Sequence, residues 1–130
     1  MHILASEGIG AGVVVNGKVL EGGHGIAGEV GHMSINCEGE LCACGNRGCL
    51  ELYCSALAIP KRAKAQLIKW PDSMLNKLDS IAIEDIVEGI NIKDAFCCEI
   101  IKQTGYYLGC GIANVINMYD PNIVVISDVV

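Results

Sequence analysis

The chain has 130 residues, a formal net charge of −6 and 52% hydrophobic residues. That is enough apolar material for one modest packed domain and too much for a disordered chain. The acidic balance argues against a nucleic-acid surface in this stretch. Every apolar run is interrupted too soon for a membrane span, and the start does not read as a secretory signal.

Residues 3–5, Ile-Leu-Ala, read as a strand. Residues 6–12, Ser-Glu-Gly-Ile-Gly-Ala-Gly, read as a turn with glycines at positions 8, 10 and 12. Such a turn either brings backbone N–H groups against a phosphate or serves a positive φ, and the residues alone leave both open. Residues 13–15 are a β-branched run, Asn16-Gly17 is a two-residue hairpin signal, and residues 18–20 return as the second strand. Residues 21–28 are a glycine-rich loop in which His24 reads as solvated. Residues 33–35 are expected to form a short strand leading into a cysteine-rich segment.

In the second half, Pro60 lies early in a helix expected to run to about Lys69, and Trp70-Pro71-Asp72 ends it. Residues 73–80 are a connector. A short helix follows, with Ser80 and Glu84 as start signals and Gly89 as its close. Residues 93–118 read as the longest helix, with Asp94 near its start and apolar residues at helical spacing. Gly105, Gly109 and Gly111 each cost roughly 1 kcal/mol in an exposed helix, which implies a second helix packed closely there, across a homodimer if need be. Asp120-Pro121 stops the helix. Residues 123–126 read as a buried strand, and the chain reaches Val130 within an element.

The chemistry concentrates between residues 29 and 51. His32, Cys42, Cys44 and Cys49 form a Cys₃His set, a common structural composition for tetrahedral zinc. The Cys42-Ala43-Cys44 spacing needs a turn, which Gly45 and Gly48 can supply, and is too tight for an easy mutual disulfide. The other cysteines, Cys37, Cys54, Cys97, Cys98 and Cys110, read as reduced thiols of a cytosolic protein. Glu29 and Glu51 flank the set, so a bound metal fixes where both point. Taken alone, they read as solvated carboxylates. A zinc-ribbon interaction module without a small ligand fits the same cysteines.

Gly31-His32, a gap, and then Cys42-Ala43-Cys44-Gly45-Asn46-Arg47-Gly48-Cys49-Leu50-Glu51 resemble the signature of the ROK family of bacterial sugar kinases and NagC/XylR-type repressors. The resemblance implies an α/β fold, part of an actin-like, ribonuclease-H-like sugar-kinase lobe. It implies a structural zinc on His32, Cys42, Cys44 and Cys49, and sugar hydroxyls bound by Glu29, His32 and Glu51. Gly8, Gly10 and Gly12 match the kinases' second phosphate loop, where ATP-magnesium binds. Kinases usually carry Gly-Thr where this chain has Ser6-Glu7, and a Gly-Gly turn where it has Ser127-Asp128. A carboxylate at position 7 repels phosphate, so the resemblance favours a sugar-sensing domain of a repressor, with a glucokinase-like sugar kinase as the alternative.

Nothing matches the family's catalytic Asn-Asp pair or first phosphate loop, so no catalytic residue is assigned. The repressors' helix-turn-helix is not matched either, and DNA contact is expected only through such a domain. The expectation is a part of a longer protein: residues 1–130 as a partial sugar-binding domain, with its metal loop over about 29–51. The expected partners are a monosaccharide and further copies of the same chain.

Overall fold

The structure, a computed structural model, describes residues 1–128. It is mixed α/β. Strand β1 (His2–Ala5) pairs antiparallel with β2 (Ile9–Gly12), Ala5 opposite Ile9 and His2 opposite Gly12. The turn expected over residues 6–12 is therefore confined to Ser6, Glu7 and Gly8; Gly10 and Gly12 lie in a strand. A separate ribbon pairs β3 (Val14–Val15) with β4 (Lys18–Val19). Asn16 (φ 51°) and Gly17 (φ 76°) supply the left-handed turn that the Asn-Gly pair predicts.

The segment after the ribbon lies along the outer edge of β2. The Ala11 N–H donates to the Gly28 carbonyl at 2.7 Å. A Cβ on Gly28 would stand 1.9 Å from the Ala11 carbonyl oxygen, and one on Gly31 2.1 Å from that of Ile9, so both positions admit only glycine. The chain there makes a 3₁₀ turn, Val30–His32. The strand expected over residues 33–35 reduces to a bridge between Ser34 and Cys49, because the metal loop folds back at once.

Helix α1 (Glu51–Cys54) is a single turn, followed by α2 (Ala58–Gln66) with a 3₁₀ extension, Leu67–Lys69. A further 3₁₀ turn, Met74–Lys77, lies in the connector. Helix α3 (Ile83–Asn91) begins at Ala82, not Ser80, and it is Asp85, not Glu84, whose carboxylate accepts the Ala82 N–H at 2.7 Å. Gly89 does not close it. It lies inside the helix, where a Cβ would fall 2.2 Å from the Cys97 sulfur.

Helix α4 (Ala95–Tyr119) is the long one, stopped by Asp120 in a left-handed conformation (φ 44°) ahead of Pro121. Its first half packs Phe96, Cys97 and Ile100 with Ile59, Leu75 and Ile86 in a helical core. Its second half brings Val115 to Ile3, Ile9, Val30 and Leu50 in a core between sheet and metal loop. The close packing expected at its glycines is met at Gly111 alone, and by the Leu50 side chain of this same chain. Gly105 and Gly109 meet nothing within 4 Å among the described residues.

Strand β5 (Val125–Ser127) runs parallel to β1 at the far side of the sheet. It was expected to be buried, yet Val125 and Ile126 are each 50% exposed. Its only strand neighbour among the described residues is β1, so one edge stays uncovered. The continuation of this apolar run into residues 129 and 130 lies outside the described residues. Among the described residues no helix is long and apolar enough to cross a membrane.

Asp94 ties the helical half together. One carboxylate oxygen accepts the Phe96 and Cys97 N–H groups at 2.9 and 3.0 Å and the Ser73 hydroxyl at 3.2 Å; the other accepts the Met74 N–H at 2.7 Å. Partial burial works to raise its pKa, but these donors prevail and hold it below the ordinary 3.8. The stabilisation is thus complete above that value and is lost as pH falls through the lower folded-state pKa. Asp94→Ala should cost about 2 kcal/mol or more in denaturant unfolding, the upper range for a lost helix cap, and should flatten the acid limb of stability against pH.

Candidate functional site

The metal loop is built by short-range turns. The Cys42 N–H donates to the Asn46 carbonyl at 2.8 Å and the Gly45 N–H to the Cys42 carbonyl at 2.9 Å, turning the chain between Cys42 and Cys44 back on itself. At Gly48 (φ 62°) a Cβ would lie 1.7 Å from the Asn36 carbonyl oxygen, so the return strand reaches the loop's other arm only through glycine. His32 arrives from the 3₁₀ turn, its carbonyl accepting from Asn46 Nδ2 at 3.3 Å.

The four ligand atoms of His32, Cys42, Cys44 and Cys49 lie within 4.8 Å of one another. A tetrahedral ion held by thiolates at about 2.3 Å sets adjacent sulfurs about 3.8 Å apart. Cys44 Sγ and Cys49 Sγ are 3.6 Å apart, and Cys42 Sγ is 3.7 Å from His32 Nδ1. The donor set and its edges fit a metal ion. Burial, with the Cys44 and Cys42 sulfurs alongside, pushes the Cys49 thiol up to about 12. At exposed Cys44 the Asn46 backbone N–H works the other way and lowers the pKa. Cys37 is exposed and outside the cluster.

Immediately after Cys49 and Leu50 the chain enters α1, which places Glu51 at the first helical position. Its Oε2 accepts the Ile9 N–H of β2 at 3.0 Å. Glu29 lies between the two glycines pressed on β2. Both carboxylates line one cleft of about 820 Å³, walled by Leu4, Glu7, Pro60 and the first residues of α3. His32 does not line that cleft. It opens, with Glu29, on a second hollow of about 320 Å³ against Val115 and Tyr119. Of the three residues expected to bind sugar, the fold thus brings Glu29 and Glu51 together and places His32 with the cysteines. Of the three glycines, Gly8 and Gly10 line the large cleft, and Gly12 does not.

The cleft has supports that the sequence did not signal. Half-buried Arg62 donates to the Tyr53 carbonyl at 2.6 Å, to Thr104 Oγ1 at 3.1 Å and to Gln103 Oε1 at 3.0 Å, and stacks 5.1 Å over the Tyr107 ring, joining α1, α2 and α4. Glu40 of the metal loop forms an ion pair with Lys61 of α2 beside a neighbouring hollow of about 290 Å³ that Glu51 and Arg62 also line. Asn36 Nδ2 donates to the Tyr53 hydroxyl at 3.2 Å. Only pairwise proximity in the fold reveals these contacts. Ser127, opposite Leu4 in the sheet, has its Oγ 2.6 Å from His2 Nε2.

Comparison with known proteins places this arrangement. The ROK family model matches residues 1–130. The chain belongs to the ROK family. It is 34% identical over 128 residues to the xylose repressor of Bacillus subtilis, covering 98% of this chain and 30% of that one. A solved ROK transcriptional regulator, a homologue of the E. coli MLC protein, superposes with a TM-score of 0.84 at 41% identity, over 96% of this chain and 32% of its own. A ROK glucokinase from Streptomyces griseus, solved with glucose and AMPPNP, gives 0.87 at 27% identity, over 98% of this chain and 43% of its own. The chain therefore spans less than half the length of these ROK relatives.

Cys44→Ser should remove one of the four candidate metal ligands while leaving the fold's two apolar cores untouched. Bound metal per chain should fall in elemental analysis. The melting temperature should drop by on the order of 10 °C, since binding energy at such a site is partly folding energy and each kcal/mol is worth roughly 4 °C at this size.

Proposed function

We propose that residues 1–130 are the sugar-binding part of a ROK-type transcriptional repressor, within the family's actin-like lobe, stabilised by a structural zinc on His32, Cys42, Cys44 and Cys49. The observation that carries this reading is the shared cleft of Glu29 and Glu51, with Glu7 as a third carboxylate on its wall. Neighbouring sugar hydroxyls donate hydrogen bonds, and carboxylates are acceptor-only groups able to take them in pairs. In this reading the zinc contributes no chemistry to the sugar. It holds the loop whose two ends carry Glu29 and Glu51, and His32 serves metal and sugar together. Glu7 disfavours nucleotide phosphates beside Gly8, Gly10 and Gly12, which makes that phosphate loop vestigial.

Sugar occupancy then biases a domain arrangement that sets DNA affinity, with DNA contacted through a helix-turn-helix outside this stretch. The protein so read is cytoplasmic, homo-oligomeric and not itself an enzyme. The second reading, a sugar kinase using ATP-magnesium, draws support from the likeness to the glucokinase solved with AMPPNP.

Calorimetric titration of the protein with xylose, glucose and N-acetylglucosamine, and separately with ATP-magnesium, tests the choice. One of the sugars should bind, and Glu51→Gln should weaken it about tenfold or more while zinc content stays at that of the wild type, because a charge-assisted acceptor is worth roughly 1.5–3 kcal/mol. ATP should not bind. Micromolar ATP binding with sugar-dependent ADP release would replace the repressor reading with the kinase; failure of all three sugars would count against both.

A further inference from the structure

Gly8, Gly10 and Gly12 look alike in sequence, and the fold gives them unlike surroundings. None has a left-handed φ, so backbone conformation does not require glycine at any of the three. A Cβ on Gly10 or Gly12 would meet nothing within 4 Å among the described residues. A Cβ on Gly8 would stand 2.9 Å from Glu51 Oε2 and 3.7 Å from its Cδ. The absent side chain of Gly8 is the space in which the Glu51 carboxylate sits.

The carboxylate is drawn there by the edge of β2. In an antiparallel strand alternate N–H groups point to the same side. The Ala11 N–H turns away from β1 to the Gly28 carbonyl, so the Ile9 N–H, two residues back, faces the same outer edge and meets Glu51 Oε2. Ile9 is 4% exposed, so water is a poor substitute acceptor. One carboxylate oxygen is thereby committed to the backbone.

We propose that Gly8 is a positioning residue for the sugar site: it leaves the seat in which Glu51 is pinned to the Ile9 N–H by Oε2, so that Oε1 is presented to the cleft in one orientation. This rests on the sugar-binding reading above and deepens it. It reassigns Gly8 from phosphate contact to control of the sugar-binding carboxylate, and it separates Gly8 from the two glycines that follow. A carboxylate held through one oxygen loses little rotamer freedom on binding, which favours affinity and a fixed hydroxyl geometry.

Gly8→Ala is a clean probe, because the atom that must give way is the far end of a flexible side chain and not the backbone. Gly12→Ala, equally open and off the large cleft, is the matched control. Two readouts are taken: hydrogen exchange of the Ile9 amide, and affinity for whichever of xylose, glucose and N-acetylglucosamine the wild type binds. Gly8→Ala should speed Ile9 exchange about tenfold, as Glu51→Ala should too, and weaken the sugar about tenfold, with melting temperature and zinc content near wild type. Gly12→Ala should change neither readout. The double variant Gly8→Ala/Glu51→Ala should bind sugar no more weakly than Glu51→Ala alone, since Gly8 acts only through that carboxylate. Glu51→Asp, one methylene too short to reach Ile9, should reproduce the Gly8→Ala pattern with the charge retained. A Gly8→Ala variant indistinguishable from Gly12→Ala, or a loss additive to that of Glu51→Ala, overturns the proposal. A wild type that binds none of the sugars overturns the sugar reading instead, and Ile9 exchange then decides by itself whether Gly8 seats Glu51.

Discussion

The outer edge of β2 has to be satisfied, and the way it is satisfied arranges the site. A strand edge presents unpaired N–H groups that cannot be left buried without a partner. Among the described residues no strand covers it. The Ala11 N–H takes the Gly28 carbonyl and the Ile9 N–H takes the Glu51 carboxylate. The first contact lays the segment carrying Glu29 against the strand, at a spacing that only Gly28 and Gly31 permit. The second draws in the start of α1. Two acidic residues from opposite ends of a long loop come to face one cleft because both are measured from the same four-residue strand.

The metal loop supplies what the strand cannot. Hydrogen bonds to β2 fix the two ends, and Met33 and Ile35 pack on the core beside the sheet, but Leu41 farther along is 59% exposed. His32, Cys42, Cys44 and Cys49 bring their ligand atoms within 4.8 Å of one another, where a metal ion would close the excursion between the two ends, and the next residue, Leu50, drives its side chain against Gly111 of α4. Glu51 is therefore held from both directions, by the cluster and core on one side and by the Ile9 N–H on the other. The opposed effects on Cys49 and Cys44 make physical sense in the same terms: a buried sulfur costs much to ionise, whereas an exposed one beside a backbone N–H does not.

Helix α4 and the Asp94 knot carry this geometry into the helical half. Because α4 contributes to both apolar cores, α3 cannot shift without disturbing Phe96 and Cys97, and the first residues of α3 form the far wall of the cleft. Gly89 matters for this reason. Its missing side chain lets α3 close on the Cys97 sulfur, where a helix-ending role had been the local expectation. Arg62 adds a polar tie of the same kind, satisfied by a carbonyl, a hydroxyl, an amide oxygen and an aromatic face across three helices.

What the sequence by itself determined is what neighbouring residues decide among themselves. Asn16-Gly17 turns because both residues tolerate positive φ; Asp94 starts α4 because its carboxylate reaches N–H groups two and three positions on; Asp120-Pro121 stops it. Cys42, Cys44 and Cys49 with His32 were legible because ligand chemistry and spacing are local. Tertiary structure alone decided the rest. It set the bond from the Ile9 N–H to Glu51 Oε2, a contact spanning 42 residues. It also set the different surroundings of three similar glycines, the place of His32 off the large cleft, and the exposure of β5. Each of these depends on which backbone arrives from elsewhere. A hydrogen bond or a missing Cβ leaves no trace in the residues beside it, because both partners are ordinary until the fold brings them within 3 Å or so.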